Sequence, residues 1–216
     1  MYLFRPFNMT KDSYYTIAIQ DVEARLTIQR SRFLGYAYTV KSIEESEDIL
    51  GVLRKKFFDA THVCYAYTMG IDGNLYRMDD NGEPSGTAGR PILGKIRSFQ
   101  LSDVLVVVVR YFGGVKLGTG GLIKAYGETA ELTLEAAKKK EIILTEELFI
   151  AFKPNLTGIV MNKVNIVGAS ILQQGFEAGN STLIIAIRKS KSDLLCSNLN
   201  KIFGISAKKI VPLQSD

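Results

Sequence analysis

Apolar and polar positions alternate along the chain in blocks that read as strands and helices in turn. Residues 14–40 carry β-rich text ending in "RFLGYAYTV". "SIEESEDILGVLRKKF" then places Ile43, Ile49, Leu50, Val52, Leu53 and Phe57 at largely helical spacing, with Ser42 where an N-cap belongs. "HVCYAYTMG" returns to strand composition. Asp72-Gly73 is a turn, so "NLYRM" pairs back as a hairpin strand. "DDNGEPSGTAG", Asp79 to Gly89, is a long polar loop, and a helix beginning near Pro91 buries Ile92, Ile96 and Phe99. "VLVVVVR" shows no polar alternation and predicts a strand buried on both faces. "RYFGGVKLGTGGLIKAYG" follows and opens a helix running to about Lys138. Its Leu122, Ala125, Tyr126, Leu132 and Ala136 point inward, and Lys124, Glu128, Glu131 and Glu135 face water.

"KKKE", Lys138 to Glu141, is a charge-rich break and sets a domain boundary, giving domains at 1–139 and 140–216. Residues 1–13 form a loose start. After the break come a strand over 142–153 and a helix holding Leu156, Ile159, Val160, Val164 and Val167. "SILQQG" and "STLIIAIR" are strands joined through "FEAGN". A helix with Leu195, Leu199, Ile202 and Phe203 precedes a last strand, "KKIVPL". That order is βαββαβ, the ferredoxin-like arrangement. The whole is of the α+β class.

Composition narrows the functions available. In 216 residues, 46% hydrophobic, a packed core is expected. A net charge of +5 leans mildly toward anionic partners. The cysteines, Cys64 and Cys196, lie far apart and the chain has one histidine, which excludes the usual zinc spacings. The apolar run Val104–Val109 is too short to span a bilayer, and the start lacks the layout of a signal peptide. A cytoplasmic protein with no membrane partner is expected.

The chemistry concentrates in two loops. Five glycines between Gly113 and Gly121 sit where a strand gives way to a helix, flanked by Arg110, Lys116 and Lys124. A helix start leaves backbone N–H groups unpaired, and glycines let them reach an anion, so this junction is a candidate phosphate mouth. It matches neither the Walker A loop nor the dinucleotide fingerprint. Tight turns and close helix–sheet packing explain the same glycines without a ligand. In the other loop Asp79, Asp80 and Glu83 are enough for a partly hydrated Mg²⁺, or for a solvated turn with Ser85 or Thr87 capping the next helix. His62, Cys64 and Ala66 share one strand face and Val63, Tyr65 and Tyr67 the other. A Cys–His pair there has no group to orient the histidine. The strand aromatics Tyr36, Tyr38, Tyr65, Tyr67, Tyr76 and Tyr111 suit cross-strand packing better than a base-stacking platform.

"ATHVCYAY" (Ala60–Tyr67), "DDNGEPSGTAGRPIL" (Asp79–Leu93) and "VVVVRYFGGVKLGTGGLIKAYG" (Val106–Gly127), in this order, resemble the IMPACT/YigZ family, and "SRFLGYA" near Ser31 fits as well. The resemblance covers roughly residues 20–135. It implies an N-terminal two-layer domain of the ribosomal-protein-S5 domain-2-like type and a small ferredoxin-like C-terminal domain, a pair similar to the fourth and fifth domains of elongation factor G. It implies a role in translation and brings no catalytic residues and no cofactor. "DDNGEP" departs from the tighter "DDGEP" of the family, and Asn81 is expected to lengthen the turn.

The expected function is therefore a translation-related regulator that grips RNA or ribosomal phosphates without catalysis. The residues proposed for this are Arg110, Gly113, Gly114, Lys116, Gly118, Thr119, Gly120, Gly121 and Lys124, with Arg77 and Arg90 from the other loop. The alternatives are a nucleotide-binding enzyme or switch with Mg²⁺ at Asp79, Asp80 and Glu83, and a regulator that binds a protein partner through its C-terminal domain.

Overall fold

The structure is a computed structural model and describes residues 12–210. The loose start lies outside them but for its last two residues, and "KKIVPL" lies outside them past residue 210. The described chain is α+β and forms two compact units, one over 14–142, the other over 143–210 with residues 12 and 13.

The first unit is built on a five-stranded antiparallel sheet in the order β2-β3-β6-β4-β5. Its strands are β2 (Val22–Ile28), β3 (Ser31–Thr39), β4 (His62–Met69), β5 (Leu75–Asp79) and β6 (Val104–Tyr111). Three helices join it: α1 (Ile43–Lys56), α2 (Gly89–Ser98) and α3 (Gly118–Ala137). Alternation along the strands sorts the core into two halves. Val104, Val106 and Val108 of β6 pack with Cys64, Ala66, Phe33 and Ala37 under α2 and α3. Leu105, Val107 and Val109 pack with Tyr36, Val63, Tyr65 and Tyr67 under Leu50 and Leu53 of α1. The sheet with α2 and α3 makes the two expected layers, and α1 adds a single helix on the opposite face. Ser42 caps α1 by accepting the Glu45 N–H.

The topology puts several loops at one end of this sheet. β5 and β6 both run antiparallel to β4, so both leave the sheet at the end where β4 enters it. β5 leads to α2 and β6 to α3, and both helices therefore start from that end. The β2–β3 turn, Gln29-Arg30, is there too, because Arg32 pairs with Tyr111. Both turn residues have positive φ, 46° and 67°, as a two-residue hairpin turn matched to strand twist requires.

The inward face of α3 differs from the expected one. Leu132 and Ala136 are exposed, and Thr129, Thr133, Leu134 and Ala137 are buried instead. The reason is Gly35 of β3, where a Cβ would overlap the Thr133 hydroxyl, so the helix comes closer to the sheet than a leucine stripe allows. Both threonines can be buried because each hydroxyl donates to the carbonyl four residues back, Ala125 at 2.8 Å and Thr129 at 2.7 Å. The charged "KKKE" segment leads into a strand: Lys138 turns the chain at φ 55°, β7 (Lys139–Ile143) pairs with β1 (Ser13–Ile17), and the division between the two units falls just after it, between residues 142 and 143.

The second unit has β8 (Thr145–Phe152), α4 (Thr157–Val167), β9 (Ser170–Glu177), β10 (Asn180–Arg188), α5 (Lys189–Asn200) and β11 (Ile205–Lys209). Its sheet runs β11-β8-β10-β9, the ferredoxin-like order. Val160, Val164, Leu195 and Leu199 pack on Leu148, Ile150, Leu183 and Ile185. The last described strand lies upstream of the expected "KKIVPL". Phe203, expected on the helix, follows its end and is fully exposed.

Candidate functional site

The Asp79–Gly89 loop is closed by its own side chains. Asp80 accepts the backbone N–H groups of Gly86 (2.7 Å), Ala88 (2.9 Å) and Gly89 (2.8 Å). One carboxylate thus supplies the negative charge that the start of α2 favours, and consumes its leading donors. The cap is Asp80, and neither Ser85 nor Thr87 serves α2; Thr87 instead donates to the Pro84 carbonyl. Asn81, expected to lengthen the turn, is held in it by its own hydrogen bonds. It sits at φ 44°, its side chain accepts the Val63 N–H at 2.7 Å, and its carbonyl accepts a 2.8 Å bond from His62 Nδ1. Since a carbonyl only accepts, Nδ1 of this imidazole carries a hydrogen.

Beneath that loop lies a buried polar network. Glu83 Oε1 accepts from Arg110 Nη1 at 2.6 Å and from Tyr126 Oη at 2.8 Å, and His62 Nε2 stands 3.7 Å away. Arg110 Nη2 reaches Ser31 Oγ at 3.3 Å, and the same oxygen takes the Gly113 N–H at 3.2 Å. Cys64 Sγ lies 3.1 Å from the Asp80 carbonyl and 3.3 Å from Tyr126 Oη. Burial pushes the Cys64 thiol up to about 12, with the nearby Glu83 and Asp80 charges adding to the rise. Burial likewise drives the Tyr126 hydroxyl far above its ordinary value. Both stay protonated at neutral pH, so Cys64 is no nucleophile. The network ties β3, β4, β6, α3 and the Asp79–Gly89 loop to one another.

The start of α3 is built differently. Gly113 lies against the Arg30–Ser31 peptide so closely that a Cβ there would overlap its backbone. Gly114 and Gly118 turn the chain at φ 83° and 70°. The helix then begins at Gly118 behind Leu117, with no side-chain cap and no acidic residue in its first turn. Gly118, Thr119 and Gly120 are exposed, as are Lys116 and Lys124. Exposed Arg30 and Arg32 stand on the neighbouring hairpin, with Arg32 stacked 4.8 Å from the Tyr111 ring. The first turn of α3 itself holds no acid, and exposed cations stand on the loop and hairpin beside it.

The family model of the Impact N-terminal domain matches residues 29–134, a span that holds the network and the α3 mouth entire. An IMPACT family member of Haemophilus influenzae is 33% identical over 177 residues, 81% of this chain and 85% of its own length. The chain belongs to the IMPACT family. The IMPACT family member YigZ of Escherichia coli is 36% identical over 135 residues, covering 61% of this chain and 66% of that protein. YvyE of Bacillus subtilis is 41% identical over 117 residues, and this chain spans about half its length. A solved structure titled as a crystal structure of a hypothetical protein shares the fold, with a TM-score of 0.63 over 94% of this chain and all of that one at 24% identity.

The three IMPACT segments converge at one end of the sheet and divide the expected site residues between them. Gly113, Gly114, Lys116, Gly118, Thr119, Gly120 and Gly121 lie at the start of α3, and Lys124 stands further along the helix, over a groove it shares with Lys95, Glu128 and Glu131. Arg110 does not belong to the α3 mouth: it is only 5% exposed and its charge is held by Glu83. Arg77 is on the edge strand β5, paired with Glu47 of α1 at 3.2 Å. Arg90 is exposed in the first turn of α2, at the same end of the sheet as the mouth. The three carboxylates of the Mg²⁺ alternative are each engaged within the protein. Asp80 is spent on α2, Glu83 on Arg110 and Tyr126, and Asp79 on the Asn81 N–H, and no acid, cysteine or histidine cluster among the described residues could hold a metal. Arg30 and Arg32 were not expected at the mouth. The signal was their place on either side of Ser31 in "QRSRF". No helix among the described residues is long and apolar enough to cross a membrane.

Proposed function

We propose that this protein binds RNA phosphates at the start of α3, with Lys116, Lys124, Arg30 and Arg32 as the surrounding charges, and that it acts in translation without catalysing a reaction. The observation that carries this reading is the exposed, uncapped, acid-free first turn of α3. Membership of the IMPACT family, with its resemblance to translation regulators, supports the link to translation. The buried network supports the binding role by fixing the strand ends and loops from which the mouth is built. Titrating a labelled short RNA at several salt concentrations tests it. Affinity falls log-linearly with salt, and replacing Lys116 and Lys124 by alanine reduces the slope. A slope unmoved by the double substitution, with the fold intact, removes α3 from the site.

A protein partner on the C-terminal unit is a second reading. It is favoured by Leu172 and Phe176, both exposed on the sheet's edge strand β9. Capture of a cellular protein by the wild type, lost with Leu172→Glu and Phe176→Glu, is the outcome that separates it from RNA binding at α3.

A further inference from the structure

The mouth carries one feature that phosphate binding does not use. Phe112, between Arg110 and the glycines, is 46% exposed. Its backbone is pinned: the N–H donates to Thr61 Oγ1 at 3.0 Å, and the next residue, Gly113, is fixed against the Arg30–Ser31 peptide. The Arg110 guanidinium lies 5.5 Å from the ring centroid. That guanidinium is itself locked by Glu83 and Ser31, and its Nε is a buried N–H with no hydrogen-bond partner among the described residues. The ring is thus backed by a fixed cation and half open to solvent. Val115, also exposed, stands between the two glycine turns on the same loop. Phe112 and Val115 set two exposed apolar side chains on the loop that carries the glycine turns. A rigid aromatic face beside amides and cations is what an unpaired nucleotide needs, because its base has a free π-face and its phosphate is within a few ångströms of it. In a duplex both faces of each internal base are taken by its neighbours.

Resting on the phosphate reading above, we infer that the mouth takes single-stranded RNA, with a base stacked on Phe112 and its neighbouring phosphate at the amides of Gly118–Gly120. Phe112 then selects strandedness, and the lysines supply the sequence-independent grip.

The test is fluorescence anisotropy with the full chain, one short labelled RNA, and its blunt duplex. Wild type, Phe112→Ala, Phe112→Tyr and Lys116→Ala are compared, with thermal melting to confirm folding. The expected result is a single strand bound at least about tenfold more tightly than the duplex. Phe112→Ala removes about tenfold of single-strand affinity, within the range measured for one base–aromatic stack. It leaves the salt slope as it was, and Phe112→Tyr restores the affinity. Lys116→Ala lowers the slope for either RNA. Equal or tighter duplex binding, or single-strand affinity indifferent to both Phe112 variants, overturns the stacking inference and leaves phosphate binding standing. If neither RNA binds, both readings fall together.

Discussion

Two helices start from the same end of the same sheet and meet opposite fates. α2 begins at Gly89 with its leading amides taken by Asp80, and α3 begins at Gly118 with no side-chain cap. Both starts carry the same partial positive charge. The difference lies in what the preceding loop brings back. The loop before α2 carries Asp79, Asp80 and Glu83, and each has an intramolecular partner. The loop before α3 brings glycines and Lys116. The capped helix start is closed by its own loop, and the bare one keeps an acid-free first turn, the feature on which the proposed anion binding rests.

The comparison breaks most visibly when the capped side is damaged. Glu83→Ala leaves Arg110 charged and buried without its partner and costs about 3–5 kcal/mol of stability, read by urea unfolding. Asp80→Ala opens the start of α2 and costs up to about 2 kcal/mol. Folded Asp80→Ala protein keeps its RNA affinity, because α3 is untouched. Adding an acid on the open side acts in the opposite sense. Thr119→Glu, at an exposed first-turn position, stabilises α3 by about 0.3–1 kcal/mol while weakening RNA binding. A substitution that raises the melting temperature and lowers affinity marks a site where stability has been withheld for binding. The smallest change is Lys116→Ala. Stability stays within about 0.5 kcal/mol, and the log–log salt slope flattens by about one unit.

The same contrast explains what could be read from the sequence. The strand "VLVVVVR" and the hairpin at Asp72-Gly73 were legible because apolar runs and turn residues act locally. The βαββαβ order of the second unit was legible for the same reason. The glycine-rich start of α3 was legible as a helix mouth because its amides depend on local backbone alone. The role of Arg110 was not. A cation next to a glycine loop looks like a ligand contact until the fold brings Glu83, 27 positions away, within 2.6 Å. The inward threonines of α3 were hidden for a similar reason, since they answer to Gly35 on a distant strand. Arg30 and Arg32 joined the mouth through the close approach of Gly113 to Ser31, 82 positions away; the pair of arginines was visible in "QRSRF", and the contact that places it was not.

The most direct measurement is an amide proton–nitrogen correlation spectrum of the folded chain, followed as a short single-stranded RNA is added. Shifts concentrated at Gly118, Thr119, Gly120 and Gly121, with Gly86, Ala88 and Gly89 unmoved, are the predicted result. Equal movement at both helix starts, or saturable binding that leaves Gly118–Gly121 still, would contradict the account.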